Sequence, residues 1–218
     1  MEKQITCPGC KTSLTYKLAV PVAIHCKYCY SVFMLQSEND PYLTVKKNYK
    51  PPVDLSVLKL SAKGTYLNKK FEIIGRIRSV NTFAISNEWL MYFYDGSYMW
   101  LSESSLSYFV VSKEPFTVLK NELKGRTAGK IVTIRQSEHF FITEISKSLS
   151  FDFEGEIPLD AYTDRAFFKY ELTGKKKGDY ATVIIHEREI IEAFFSKKVE
   201  LNDLDLKGIN EFKQSISE

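Results

Sequence analysis

Three observations predict a mainly β protein, with a small N-terminal metal-binding unit followed by a β-rich body. The first is residue usage. Val, Ile, Thr, Tyr and Phe recur along the chain, with 13 Tyr and 15 Phe in 218 residues. Such side chains suit a pleated surface. The second is pattern, because short apolar runs are separated by turn residues. The third is cysteine placement. All 4 cysteines lie near the N-terminus, as Cys7-Pro-Gly-Cys10 and Cys26-Lys-Tyr-Cys29.

The spacing C-x2-C-x15-C-x2-C is that of a zinc ribbon. Each C-x-x-C pair turns two thiolates toward one metal, and two such knuckles close a tetrahedral shell. A closed shell leaves no position for water or substrate, so the predicted Zn2+ is structural. Iron in a four-thiolate site has the same geometry and stays open as an alternative. A redox dithiol is the reading for a single pair, and the second pair argues against it. His25 adjoins Cys26, but the four-cysteine set is complete without it.

The ribbon is expected over 1–36. Leu14, Tyr16, Leu18 and Val20 alternate as in a strand with one buried face, Val22 and Ile24 continue it, and Tyr30 to Leu35 forms the return strand. A unit this small buries little apolar surface, so the metal should carry much of its stability. Residues 37–57 read as a linker, with Pro41, Pro51 and Pro52 favouring extended backbone.

Residues 58–209 read as the β-rich body, and 210–218 as a polar tail. Strands are predicted at Lys69–Val80, Trp89–Tyr94, Tyr98–Leu101, Tyr108–Ser112, Lys130–Arg135, His139–Ile145, Phe168–Leu172 and Tyr180–Ile185. Asp95-Gly96-Ser97 marks a hairpin, because glycine accepts the positive φ of a tight turn. Ile190–Phe195 suits a strand or a short helix. A weak repeat links Gly64-Thr-Tyr-Leu and Phe71-Glu-Ile-Ile to Gly129-Lys-Ile-Val and Phe140-Phe-Ile-Thr. It points to two similar, barrel-like halves.

Formal net charge is +3, and it resides in the ribbon, where Lys3, Lys11, Lys17 and Lys27 face only Glu2. Four thiolates with one Zn2+ would bring the chain close to neutrality. That is a poor footprint for a general nucleic-acid binder, whose affinity comes from neutralising phosphates. No apolar run approaches the ~18 residues of a membrane-spanning helix, and no secretory signal is evident. Reduced thiolates then place the chain in the cytoplasm.

Longer motifs resemble the bacterial family known as domain of unknown function 4178, in its form with an N-terminal zinc ribbon. The similar residues are the ribbon CPGCKTSLTYKLAVPVAIHCKYC, the segment FEIIGRI, and Asn87-Glu88-Trp89. They continue with Asp95-Gly96 leading to Trp100-Leu101-Ser102-Glu103, with Gly155-Glu156-Ile157-Pro158, and with Phe195-Ser-Lys-Lys-Val199-Glu200-Leu201. Ser196 stands where the family usually has glycine, and Ile157 where it has leucine. The resemblance implies a bacterial protein and names no catalytic residue.

Candidate sites beyond the cysteines rest on spacing. Asp152, Glu154 and Glu156 alternate, which puts three carboxylates on one strand face. Glu156 is the candidate for a cationic ligand or for acid–base work, against the plainer reading of a solvated strand face. Trp89 and Trp100 flank the hairpin, as core packing or as an aromatic platform. With them Asn87, Glu88, Ser102 and Glu103 are expected to converge at one end of a sheet, forming the best candidate ligand pocket. No nucleophile motif, glycine-rich phosphate loop or HExxH pair exists. The expectation is therefore a non-catalytic protein-interaction module. Nucleic-acid binding through the ribbon and small cationic-ligand binding at Glu156 are the alternatives.

Overall fold

The computed structural model describes residues 2–37, 41–45, 56–81, 84–115, 123, 125, 127–134, 138–161, 166–186 and 191–210. The architecture is mainly β. In the ribbon, β1 (Lys3–Thr6) pairs with β2 (Ser13–Tyr16) as a separate two-stranded sheet. β3 (Val22–His25) and β4 (Val32–Leu35) follow, and β5 (Pro41–Val45) pairs with β4. β5 lies inside the stretch read as a linker, whose residues 46–55 fall outside the described ones, as do 211–218 of the predicted tail.

The body is two antiparallel meanders. The first runs through β6 (Lys63–Tyr66), β7 (Lys69–Val80), β8 (Ile85–Phe93), β9 (Tyr98–Ser104) and β10 (Ser107–Pro115). The second runs through β11 (Ile131–Ile134), β12 (Glu138–Pro158), β13 (Ala166–Gly174), β14 (Tyr180–His186) and β15 (Ile191–Val199). β10 pairs with β15, and β12 pairs with β7, so the path β7-β8-β9-β10-β15-β14-β13-β12 returns to its start as a ring.

The two halves match in detail. A short strand folds onto a long one in each, placing Gly64 opposite Phe71 and Val132 opposite Phe140. An irregularity then falls three residues on from each phenylalanine, at Ile74 and at Thr143. Each half also has its own core on one face of its strands. The first gathers Phe71, Ile73, Trp89, Met91 and Leu101, and the second Phe140, Ile142, Leu172 and Val183. Strand side chains alternate between faces. Tyr98, Trp100 and Ser102, with Thr182, Ile184 and His186, therefore face away from those cores.

The 21-residue strand β12 joins everything. It pairs with β11 and β13 in its first part, with β7 from Leu149 to Gly155, and with β3 from Glu156 to Pro158. The predicted strand His139–Ile145 is only its opening third. β3 is thereby flanked by β4 and β12, and all four of its residues are buried, so the ribbon continues the same sheet as the body. The two backbones close up where β12 meets β7. A Cβ on Gly155 would sit 2.1 Å from the Ile74 carbonyl oxygen, and Gly155 has φ +73°. Its cross-strand partner is Gly75, where a Cβ would lie 2.1 Å from the Glu156 oxygen.

The ambiguous segment is strand over its described residues, 191–195, as part of Ile191–Val199; Ile190 lies outside the described residues. No helix among the described residues is long and apolar enough to cross a membrane.

Candidate metal centre and ring cavity

Cys7, Cys10, Cys26 and Cys29 bring their Sγ atoms within 4.8 Å of one another. Cys7 and Cys29 are 3.7 Å apart, and Cys10 and Cys26 3.8 Å apart. Four sulfurs each about 2.3 Å from a zinc ion define a tetrahedron with edges of roughly 3.8 Å, so the donor set fits the metal. The two knuckles are built alike. Lys11 N–H donates to the Cys7 carbonyl and Tyr30 N–H to the Cys26 carbonyl, with φ +65° at Lys11 and +57° at Tyr30. Thr12 Oγ1 lies 3.3 Å from Cys10 Sγ, and Ser31 Oγ 3.3 Å from Cys29 Sγ. Hydroxyl donors at these positions stabilise thiolates. Without metal, burial pushes Cys7 up to about 12 and raises Cys26, while the Thr12 hydroxyl draws Cys10 down to about 6. A metal entering the site must therefore displace protons.

Glu156 extends from β12 under the ribbon. Its carboxylate accepts the Lys17 N–H at 2.8 and 3.0 Å and the Leu18 N–H at 2.8 Å. Its oxygens hold ribbon backbone, and Lys17 in turn pairs with Glu72 at 2.8 Å. The other carboxylates of the predicted row face arginines across the β7–β12 pairing. Arg78 approaches Asp152 at 3.8 Å, and Arg76 bonds Glu154 while stacking over Trp89 at 4.7 Å. The row on one face exists, and each member has a structural partner.

The group expected around the hairpin divides between the two faces of the sheet. Glu103 is buried and accepts from Ser56 Oγ (2.7 Å), Asn87 Nδ2 (2.9 Å), Trp89 Nε1 (2.8 Å) and Tyr108 OH (3.1 Å). Asn87, Trp89 and Glu103 do converge, but as a closed network on the core side, with Trp89 only 1% exposed. Glu88, Trp100 and Ser102 lie on the opposite face, in a cavity of about 340 Å3.

Every ring strand contributes to this cavity, β12 through its last residue, Pro158. Apolar walls come from Ile77, Trp100, Phe167, Ile184 and Phe194. Among them stands Lys169, 2.8 Å from Glu171 and 3.7 Å from Glu88. Burial works against the Lys169 charge, yet Glu171 and Glu88 outweigh it and hold its pKa above the ordinary value. Burial raises Glu88, although Lys169 and a 2.9 Å hydrogen bond from Ser102 oppose the shift. His186 and Glu192 meet at 3.2 Å, and Asp160 adds a third carboxylate. Sequence reading missed Lys169, Asp160, His186 and Glu192. The one available signal was alternation, which places Phe167, Lys169 and Glu171 on one face of β13.

On the ribbon, Lys27 lies over the exposed Tyr28 ring at 5.2 Å and Lys3 over Tyr16 at 5.7 Å. These cations are folded onto the ribbon's own aromatics.

Fold and site together define a ribbon whose four clustered cysteines could hold a metal ion, continuous with a β ring built from two similar halves. Comparison with family models, curated proteins and solved structures gives no match.

Proposed function

We propose that this chain is a non-catalytic zinc protein whose β ring serves as a protein-interaction module. We place it with the bacterial, cytoplasmic family that its motifs resemble. Zinc is the proposed metal because a closed four-thiolate shell serves structure, for which a redox-inert ion suffices.

The observation that carries the interaction reading is an exposed apolar strip. Ile85, Val80, Leu149 and Phe168 are 54%, 37%, 42% and 47% exposed, on the consecutive strands β8, β7, β12 and β13. Val80 pairs with both Ile85 and Leu149, and Phe168 lies opposite Lys147, close along β12. Contiguous exposed apolar surface marks sites of association.

The test compares the tagged full chain with its Val80→Lys/Leu149→Lys variant, measuring captured proteins and metal in the same eluate. A stoichiometric partner held by the parent and lost from the variant, with one zinc per chain in both, supports the proposal. Identical captured proteins from both, or capture of none, refutes the interaction reading, and iron in place of zinc corrects the metal.

A further inference from the structure

We infer that the ring cavity is a binding site for a small organic cation carrying an aromatic or aliphatic body. The cavity is distinct from the metal centre, from the exposed strip and from the Glu103 network. At about 340 Å3 it falls in the size range of small-molecule pockets.

Its lining sets the chemistry. Trp100, Phe167, Ile184 and Phe194 supply apolar and aromatic surface in a space walled mainly by strands. Among the described residues, the carboxylates reaching it are Glu88, Asp160 and Glu192, and the one ammonium is Lys169. Lys169 is already held by Glu171 at 2.8 Å, a carboxylate outside the lining. The charge presented to an occupant is therefore negative. A carboxylate or phosphate ligand would meet this row of carboxylates, while the Lys169 ammonium and the His186 ring are already engaged by Glu171 and Glu192. A ligand ammonium instead finds Asp160 and Glu192 for its charge and Trp100 for its face, since aromatic rings attract cations. Its apolar body would cover Ile184, Phe167 and Phe194.

The site is also preformed. Ser102 donates to Glu88 at 2.9 Å, and His186 meets Glu192 at 3.2 Å, so these polar groups are already oriented. Binding to such a site loses little to ordering.

The experiment titrates the zinc-loaded full chain by calorimetry with phenethylammonium and with phenylpropionate, an anion on the same phenylethyl body. The cation should bind and the anion should bind at least about tenfold more weakly, the discrimination expected from like charges in a partly buried site. Asp160→Asn/Glu192→Gln alters surface-facing groups and should weaken the cation about tenfold while leaving the melting temperature near that of the parent. Ile184→Trp, which fills the cavity, should abolish binding. Absence of cation binding, equal affinity for the anion, or indifference to both variants would overturn the assignment. None of these variants touches Val80 or Leu149, so failure here leaves the interaction reading standing, and failure there leaves this one.

Discussion

Glu103→Ala tests whether the buried network organises the first half of the ring. The carboxylate accepts from four donors, at 2.7 Å from Ser56, 2.9 Å from Asn87, 2.8 Å from Trp89 and 3.1 Å from Tyr108. Ser56 and Tyr108 have hydroxyls that can rotate toward one another or toward other acceptors. The Asn87 amide and the Trp89 indole have no such freedom. Each buried donor left without an acceptor costs about 1–3 kcal/mol. Two of them, plus the small cavity left by the side chain, give a loss of roughly 3–6 kcal/mol. For a chain of this size that is a fall in melting temperature on the order of 10 °C or more. Urea denaturation supplies the free energy, and the Trp89 indole proton in an NMR spectrum reports its hydrogen bond directly. Glu103→Gln separates charge from geometry, since one acceptor oxygen can still serve Trp89 and Asn87, so its loss should be smaller. A Glu103→Ala protein within about 1 kcal/mol of the parent, with an unshifted indole proton, would refute the argument.

Other outcomes follow from the same geometry. Cys26→Ser should lose the metal and unfold the ribbon, visible as zinc below one per chain by elemental analysis and as protease cleavage within 1–36; full zinc retention would contradict the assignment. Gly155→Ala should cost about 3 kcal/mol or more by urea denaturation, from a strained positive φ together with an added methyl that overlaps the Ile74 carbonyl. Glu88→Gln should reveal the raised Glu88 pKa as a pH dependence. A carboxyl raised by folding contributes stability below its unfolded value, and that contribution is lost as pH rises through the folded one. The variant should therefore gain on the parent as pH rises above 4.5 in paired melting curves; a constant difference would disprove it.

The cysteine cluster was legible because metal-binding chemistry demands both residue type and spacing. Four thiolates in matched knuckles state their purpose locally. Lys69–Val80 was legible for a similar reason, since its apolar residues and the turn before it are contiguous. β12 was only partly legible. Its middle, Ser146-Lys-Ser-Leu-Ser, has no apolar alternation, yet Ser146 and Ser148 are buried opposite β13, just before β12 takes up its pairing with β7 at Leu149. Small hydroxyl residues fit there, and nothing in the local pattern distinguishes them from a loop. The likeness of the halves showed faintly in sequence because they share the place where the long strand is interrupted more than the side chains around it. Glu103 and Glu88 looked alike on the page, each beside a tryptophan or a serine. Pleat parity alone sends one into the core network and the other into the ring. Glu156 was singled out for its alternation with Asp152 and Glu154, but its backbone partners at Lys17 and Leu18 are far away in sequence and left no local trace.

Trp100 stands on a party wall. Its side chain both packs against the core cluster that joins ribbon residues such as Leu14, Tyr16 and Val22 to Ile74 and Leu90, and lines the ring cavity. Tyr98 occupies the same double position. Metal lost from the knuckles would slacken the ribbon behind these two rings and blur the surface they offer in front. Thermodynamic linkage makes such an influence mutual. An occupant that steadied the rings from the cavity would tighten the knuckles' hold on a metal, and a metal in the knuckles would tighten the cavity's hold on its occupant.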